Sequence, residues 1–573
     1  LTNYSKIKLK IQNKMSNKKT LKKVMAAMLA ALTTTTGFAQ TNLGADCGCP
    51  TPVSSRPTVL LSTLATSGGS NDGSLIANNV ILDCSKTWII DKKIFVDNGK
   101  TLTIQPGTVL KGRFQSNPAN ATALIVSRGG KIIASGSESC QIVFTAEADN
   151  LDGTYSVGTT GQWGGLVLNG RATNNLTLAA NGPYQPGVGD GRLAVANGLG
   201  IVEGFATADP RYYFGADLTA GESFDDNDNS GILKYVSIRH AGANLTVGGE
   251  INALTLGSVG RGTTIEHVEI TSFNDDGIEF FGGTVNTKYL SFLFGNDDAF
   301  DWDDGYTGKS QFVFYAKFPD NTVLVDSDNG FEMDADDQKS NLLPRSHPVI
   351  YNATMIGNTK SALSSDNSGL AAIRAKELTE GEIYNSVFAN FRYGFNVQKS
   401  LGTRSGTSEA YHNWANTGGN GSNSLKIKCN TFVGMTRTIA IDNNNSGTLL
   451  ASDSIQFYQT DLNINTNSVS GLVYNWAMNA TSNAVTTQFK AVPSPALSVA
   501  GCPTPPSDGF YSPAPYRGAF DPSKPSWLSQ WAYAALLQIT SGLQDCPTDV
   551  NRDGVTNNTD FLQLLGKFNQ SCQ

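Results

Sequence analysis

Charge is scarce in this sequence, and what there is lies unevenly. Only 16 % of its 573 residues are Asp, Glu, Lys or Arg, the formal net charge is −7, and there are four histidines. A broad nucleic-acid surface needs an excess of Lys and Arg, so no nucleic-acid partner is expected. Long hydrophobic runs are lacking too. The run Val24–Leu32 is too short to cross a bilayer and no other stretch qualifies, so no membrane span is expected. Also missing is the 3.6-residue apolar period over most of the chain, which excludes a helical bundle or an alternating α/β fold.

Glycine is plentiful, with 59 copies. Short apolar segments alternate with Asn-Gly, Pro-Gly, Gly-Gly and Ser-Gly turns: Ile94–Val96, Leu102–Ile104, Ala123–Val126, Lys131–Ala134, Gln141–Phe144 and Gly164–Leu168. Longer ladders follow at Leu233–Ile238, Ile265–Ile270, Tyr289–Phe292, Phe312–Tyr315, Val349–Met355 and Ile383–Phe388, each with a second short strand behind it. Strands this short, in this series, predict an all-β fold, a right-handed parallel β-helix solenoid. A sandwich would need hairpin turns and longer alternating strands.

The expected organisation is as follows. Residues 1–40 hold upstream residues and a signal peptide: Lys18, Lys19, Lys22 and Lys23, the apolar run, then Gly37-Phe38-Ala39-Gln40. Residues 41–75 are an extended lead-in, and 76–500 the β-helix with a loop insertion near 169–230. Residues 501–525 are a Pro-rich linker, and 526–573 a helix plus a calcium loop. The signal predicts a secreted, extracellular protein, with attachment to the cell surface left open. Eight cysteines in an exported chain favour disulfides. The expected pairs are Cys546 with Cys572, Cys84 with Cys140, and Cys429 with Cys502.

The charge is concentrated between 275 and 337, where 15 acids face three lysines. Three copies of one pattern lie there: NDDGIEFFGG, NDDAFDWDDG and SDNGFEMDAD. Strand alternation turns Ile278, Phe280, Phe300, Trp302, Phe331 and Met333 inward. Glu279, Asp301, Asp303, Glu332 and Asp334 then face outward on adjacent coils ~4.8 Å apart. Like charges so placed repel by roughly 3–4 kcal/mol at an effective dielectric of 20. The patch therefore calls for bound cations, suppressed ionisation or basic neighbours. Its five acids form a candidate Ca²⁺ site. The turn pairs Asp275-Asp276, Asp297-Asp298 and Asp328-Asn329 read instead as backbone-bonding turn residues.

Basic residues follow in the next coil. Arg374 and Lys376 share one face, and Arg345, His240 and His347 lie on nearby coils in sequence. Paired carboxylates with a base suit a glycoside hydrolase, or a Ca²⁺-assisted polysaccharide lyase in which Arg374 or Lys376 takes a proton. The catalytic candidates are Glu279, Asp301, Glu332, Arg374 and Lys376. Equally, Arg374 and Lys376 could serve only to neutralise the acids.

The phrases TLTIQPGTVLKG, GQWGGLVLNGRA, GGEINALTLGSVG and NDDGIEFFGGTVN resemble secreted, pectin-lyase-like β-helix proteins of Bacteroidetes and marine bacteria. The resemblance covers roughly residues 80–400. It implies the solenoid and an exported location, and it transfers no catalytic residue, because that superfamily holds lyases, hydrolases, adhesins and tailspikes alike. Arg374-Ala375-Lys376 is similar to the Arg-x-Lys of polygalacturonases, but their His-Gly element is missing one coil earlier.

Near the end, Asp549, Asn551, Asp553, Val555, Asn557 and Asp560 occupy the ligand positions of a Ca²⁺ loop, with Gly554 at its sharp turn. The loop resembles half of a type I dockerin, an EF-hand-type helical module, with Asp at the last position instead of Glu. A complete dockerin has two such repeats, so a cohesin-like partner is not expected. The functional expectation is a Ca²⁺-binding protein of the cell surface or extracellular space that contacts polysaccharide or other surface ligands. The alternatives are a lyase or hydrolase using the 275–337 face, and a structural adhesin stalk.

Overall fold

Most of the chain winds into a stack of coils in which parallel strands repeat on three faces. The computed structural model describes residues 40–66, 71–176, 194–205, 209–245, 249, 251–319, 329–335, 342–358, 370–400, 410–415, 424–443, 449–469, 472, 474, 477–479, 484–487, 497–529 and 531–537. The first face begins with Asn79–Leu82, Thr101–Ile104 and Lys131–Ser135. The second begins with Thr58–Leu60, Thr87–Ile90, Val109–Gly112 and Ile142–Ala146. The third is an eleven-stranded parallel sheet running from Asp72–Ser74 to Arg437–Asn443. This is a parallel β-helix, and the short strands expected from the sequence lie in it.

Between Gly231 and Ile356 the first two faces are joined in one strand per coil, Gly231–Arg239, Thr264–Thr271, Asn286–Leu293, Lys309–Ala316 and Val349–Ile356. The corner falls on a single left-handed residue: Tyr235, His267, Tyr289, Phe312 and Asn352, at φ 49–61°. Bulky residues pay roughly 1–2 kcal/mol for that conformation. Stacking offsets it, since the rings of Tyr235, His267, Tyr289 and Phe312 lie 4.4, 4.3 and 4.9 Å from one another in turn, each contact worth about 0.5–1.5 kcal/mol.

Inside the coils, Ile278, Phe280, Phe300, Trp302, Phe331 and Met333 are all fully buried, as strand alternation demands. Neighbouring coils meet ring to ring, with Phe280 to Phe300 at 4.9 Å and Phe300 to Phe331 at 5.4 Å. The Trp302 indole keeps a partner by donating to Thr379 Oγ1 at 3.3 Å. A short helix, Ala410–Ala415, adds Tyr411 and Trp414 to this core. The sequence around it reads only as a polar loop, because two aromatics in one helical turn leave no detectable period.

Three segments depart from the sequence reading. The described residues of the lead-in, 41–66 and 71–75, are folded onto the first coils: Thr58–Leu60 pairs with Thr87–Ile89, and Asp72–Ser74 with Lys93–Phe95. The disulfides there are Cys47–Cys140 and Cys49–Cys84, not Cys84–Cys140. Cys47 and Cys49 flank one left-handed glycine, Gly48, and reach two different partners. A Cβ added at Gly107, itself at φ +76°, would sit 2.7 Å from Cys49 Sγ, so only glycine fits beside that bridge. Cys429–Cys502 forms as expected.

The Pro-rich stretch is no open spacer. It lies along the solenoid as a strap. Gln311 and Ser512 exchange two hydrogen bonds of 2.8 and 2.9 Å, Tyr511 donates to the Val349 carbonyl, and Asn352 donates to that of Tyr516. Aromatics set among the prolines supply the adhesion: Trp527 packs on Phe520, and Tyr516 on Phe312. The strap leads to a helical turn, Tyr533–Leu536, within the segment after 526 where a helix is expected. The fully buried Glu269 accepts from the N–H groups of Tyr533 and Ala534 at 2.7 and 3.0 Å and fastens that turn. The signal peptide, the Cys546–Cys572 pair and the loop at Asp549–Asp560 lie outside the described residues.

The 169–230 insertion carries a three-stranded antiparallel sheet, Ala194–Ala196, Leu199–Ile201 and Tyr213–Gly215. It covers part of the third face. Phe214 stacks on Phe281 at 5.9 Å, and Tyr212 meets Phe95 edge-on at 5.2 Å.

Candidate functional site

The third face carries the acidic residues in one register column. Thr255, Glu279, Asp301, Glu332, Arg374 and Asn396 are successive partners on adjacent strands. Three acids thus stack coil upon coil and end against a guanidinium. Beside them, Phe281 pairs with Asp303. The strands therefore bring together Glu279, Asp301, Asp303, Glu332, Asp334, Arg374 and Lys376.

These acids point away from the apolar interior, yet they are not the open surface patch that alternation alone suggests. Glu279 and Asp301 are 7 % exposed, Asp303 2 % and Asp334 3 %, and only Glu332 reaches intermediate exposure. Part of the cover is the chain around Asn175, whose N–H bonds the Asp304 carbonyl and whose side chain donates to the Ala335 carbonyl. Sequence alternation cannot report such cover, because it comes from an insertion more than a hundred residues upstream.

Two ends of the wall differ in charge. At one end Lys376 Nζ bridges Glu332 at 2.8 Å and Asp334 at 2.9 Å. At the other, oxygens of Asp276, Glu279 and Asp301 lie within 4.8 Å of one another. Asp276 belongs also to a second trio with Asp275 and Asp297. Asn252 Nδ2 donates to Glu279. Asp301 Oδ1 is buried with no hydrogen-bond partner. Burial, and then the nearby charges of Glu332 and Asp334, push the Asp301 carboxyl well above the ordinary carboxylate range, and Lys376 only partly opposes them. Asp276 moves the same way through burial first and the field of Asp301 second. Such a set of hard oxygen donors suits a divalent cation.

The turn pairs prove double-natured. Each second member accepts, through Oδ1, the N–H of its counterpart one coil on: Asn252 from Asp276 at 3.2 Å, Asp276 from Asp298 at 3.1 Å, Asp298 from Asn329, and Asn329 from Ala371 at 2.9 Å. That is the backbone-bonding turn role expected of them. Asp276 in addition enters the acidic trio, which the sequence reading did not foresee. The signal was available, since Asp276 stands three residues before Glu279 in the copy whose turn abuts the first acidic strand.

The remaining basic candidates are engaged elsewhere. His240 is buried and its Nδ1 meets the Thr159 carbonyl at 2.6 Å, while desolvation holds its pKa below the usual range. Arg345 pairs with Glu380 at 3.0 Å. His347 lies between Glu380 and Glu382 and, against the cost of burial, these acids raise its pKa to about 9.

Among solved structures, the crystal structure of pectate lyase Pel9A is similar at 12 % identity and a TM-score of 0.28, over 74 % of this chain and 88 % of that one. No curated protein matches the sequence. Residues 73–190 and 215–491, well over half of the chain, match the pectate-lyase like beta helix domain, and the chain belongs to that family.

Proposed function

We propose that this is a secreted, Ca²⁺-binding β-helix protein that contacts polysaccharide through the acidic third face. The observation that carries this reading is the Asp276–Glu279–Asp301 trio, with its buried and unpartnered Asp301 Oδ1. Three carboxylates so close need a counter-charge, and Lys376 is engaged with the neighbouring pair. A divalent cation supplies that charge, and an acidic sugar can complete its oxygen shell. Glu279, Asp301, Asp303, Glu332 and Asp334 form the wall, and Asp276 joins them as a ligand. The loop at Asp549, Asn551, Asp553, Val555, Asn557 and Asp560 is a second Ca²⁺ site by its ligand spacing. Export is supported by the leader-like residues before Gln40 and by three disulfides closing 35 to 93 residues.

Terbium luminescence and calorimetry on the full chain test the reading. Asp553→Ala silences the tail loop, so the ions that remain report on the wall. Asp301→Asn in that background should remove them. Unchanged uptake in the double variant would overturn the assignment. The same proteins, offered uronate-rich and neutral glycans, decide between binding and catalysis. Release of unsaturated ends, abolished by substitution of Lys376 or Arg374, would establish the lyase reading. New reducing ends without unsaturation, lost with Asp301 or Glu332, would establish the hydrolase reading.

A further inference from the structure

The last coil of the solenoid carries a helix that leaves its outer side bare. Strand Thr431–Val433 pairs with Ile464–Thr466, and before Ile464 the chain forms a helix, Ala451–Ile455, continued by a wider turn, Gln456–Thr460. Asp453, Phe457 and Asp461, spaced four apart, turn toward the coils and are buried. Phe457 packs on Phe432 at 5.4 Å and Phe395 at 6.3 Å. Asp453 accepts from the Tyr411 hydroxyl at 2.9 Å, and Asp461 from the Trp414 indole at 3.1 Å. Ile455 and Tyr458, with Leu462 just beyond, are left on the opposite side. Among the described residues ten large hydrophobic side chains are exposed, and six of them lie here: Leu449, Leu450, Ile455, Tyr458, Leu462 and Ile464. No exposed side chain from 449 to 466 is charged, because the segment's two acids are the buried Asp453 and Asp461.

We infer that this end face binds a second copy of the chain, related by a two-fold axis, so that two solenoids meet tail to tail. Charge favours that occupant. Copies of a chain of formal net charge −7 repel wherever their acids meet, and this face brings none to the contact. A lipid surface is a poorer match, since membrane-lying helices carry Lys and Arg and residues 449–466 contain neither. Area agrees as well. The six side chains form a patch of roughly 500 Å², at the upper end of what a monomer leaves open. Two copies together bury roughly 1,000 Å², the threshold of a specific interface, so the dimer forms at micromolar concentration. A head-to-tail contact would repeat without closing, whereas a two-fold contact closes at two. Helix 451–460 crosses its copy near its midpoint, which brings Ile455 close to Ile455 of the other chain. The contact stands apart from the acidic wall and needs no calcium.

Analytical ultracentrifugation of the full chain tests it, at about 1 to 200 µM and in EGTA, so that the result is independent of the acidic wall. A reversible monomer–dimer equilibrium is expected. Ile455→Lys sets two like charges against each other across the axis and should weaken association at least about a hundredfold. Its thermal midpoint at low concentration should not move, because Ile455 is exposed. Ile455→Glu alone should be equally monomeric, and an equimolar mixture of the Lys and Glu variants should dimerise again, less so in high salt. That rescue requires residue 455 to face its own copy. A wild type that stays monomeric throughout the range would overturn the inference. So would a dimer indifferent to both substitutions, or growth into species larger than a dimer. Flotation of a monomeric wild type with phosphatidylcholine vesicles, lost in Ile455→Lys, would give the face to lipid and overturn it too.

Discussion

Replacing Asp301 by Asn should change the protein's stability in opposite directions with and without calcium. The substitution keeps the shape and deletes one charge from a trio whose oxygens lie within 4.8 Å. At that distance each like pair costs about 3–4 kcal/mol at an effective dielectric of 20. Asp301 takes part in two such pairs. Proton uptake already relieves part of this, because burial and neighbouring acids suppress its ionisation, so the net gain in calcium-free buffer is about 1–3 kcal/mol. Calcium reverses the order. An ion at a hundred times its Kd stabilises the wild type by about 2.7 kcal/mol, which the variant forgoes. The pH dependence follows. An acid whose pKa is raised by folding binds more protons in the native than in the unfolded state. In EGTA, wild-type stability should therefore fall as pH rises from the ordinary carboxylate range through the raised one, and Asp301→Asn should flatten that slope. Denaturant unfolding in EGTA and in calcium, at several pH values, measures all of this. A variant destabilised equally in both buffers would refute the reasoning and leave Asp301 a plain structural residue.

Lys376→Met should strengthen cation uptake, measured by terbium titration, since it frees Glu332 and Asp334 from the ammonium they share. Trp302→Ala should cost about 3–5 kcal/mol in chemical unfolding, as a fully buried indole between two coils is lost. Asn329→Ala removes the acceptor of the Ala371 N–H inside the stack and should cost about 1–3 kcal/mol by the same assay. Cys502→Ser should cost about 2–4 kcal/mol and expose residues 503–525 to limited proteolysis, because the bridge to Cys429 pins the start of the strap.

Much of this architecture was legible because a solenoid repeats itself. The 22-residue return from Asn274 to Asn296 put Glu279 and Asp301 in one column, and strand pairing places them there. Strand alternation predicted which side chains fill the coil. What escaped lies where the repeat is broken. Cover over the acids comes from the insertion, and the strap's adhesion comes from tyrosines and tryptophans scattered among prolines, whose spacing has no period. The disulfides near the start were misassigned for a related reason: the register of Cys47 and Cys49 depends on how a non-repeating lead-in meets the first coils.

The turn ladder says why the acidic wall needs more than an architectural explanation. Its four rungs require only an oxygen acceptor at each coil, and Asn252 and Asn329 meet that requirement without charge. Asp276 and Asp298 make the same bonds, so their negative charge adds nothing to the ladder itself. It is spent where it costs most, since Asp276 lies against Asp301 and both are pushed out of their normal ionisation range. A fold served equally by Asn gains from Asp there only if something positive binds. Asp276→Asn therefore separates the two roles. It keeps the rung, because the amide oxygen still accepts the Asp298 N–H, and it removes one ligand from the trio. Cation uptake should fall while the calcium-free protein becomes no less stable. Loss of stability in EGTA, with uptake unchanged, would return Asp276 to the turn alone.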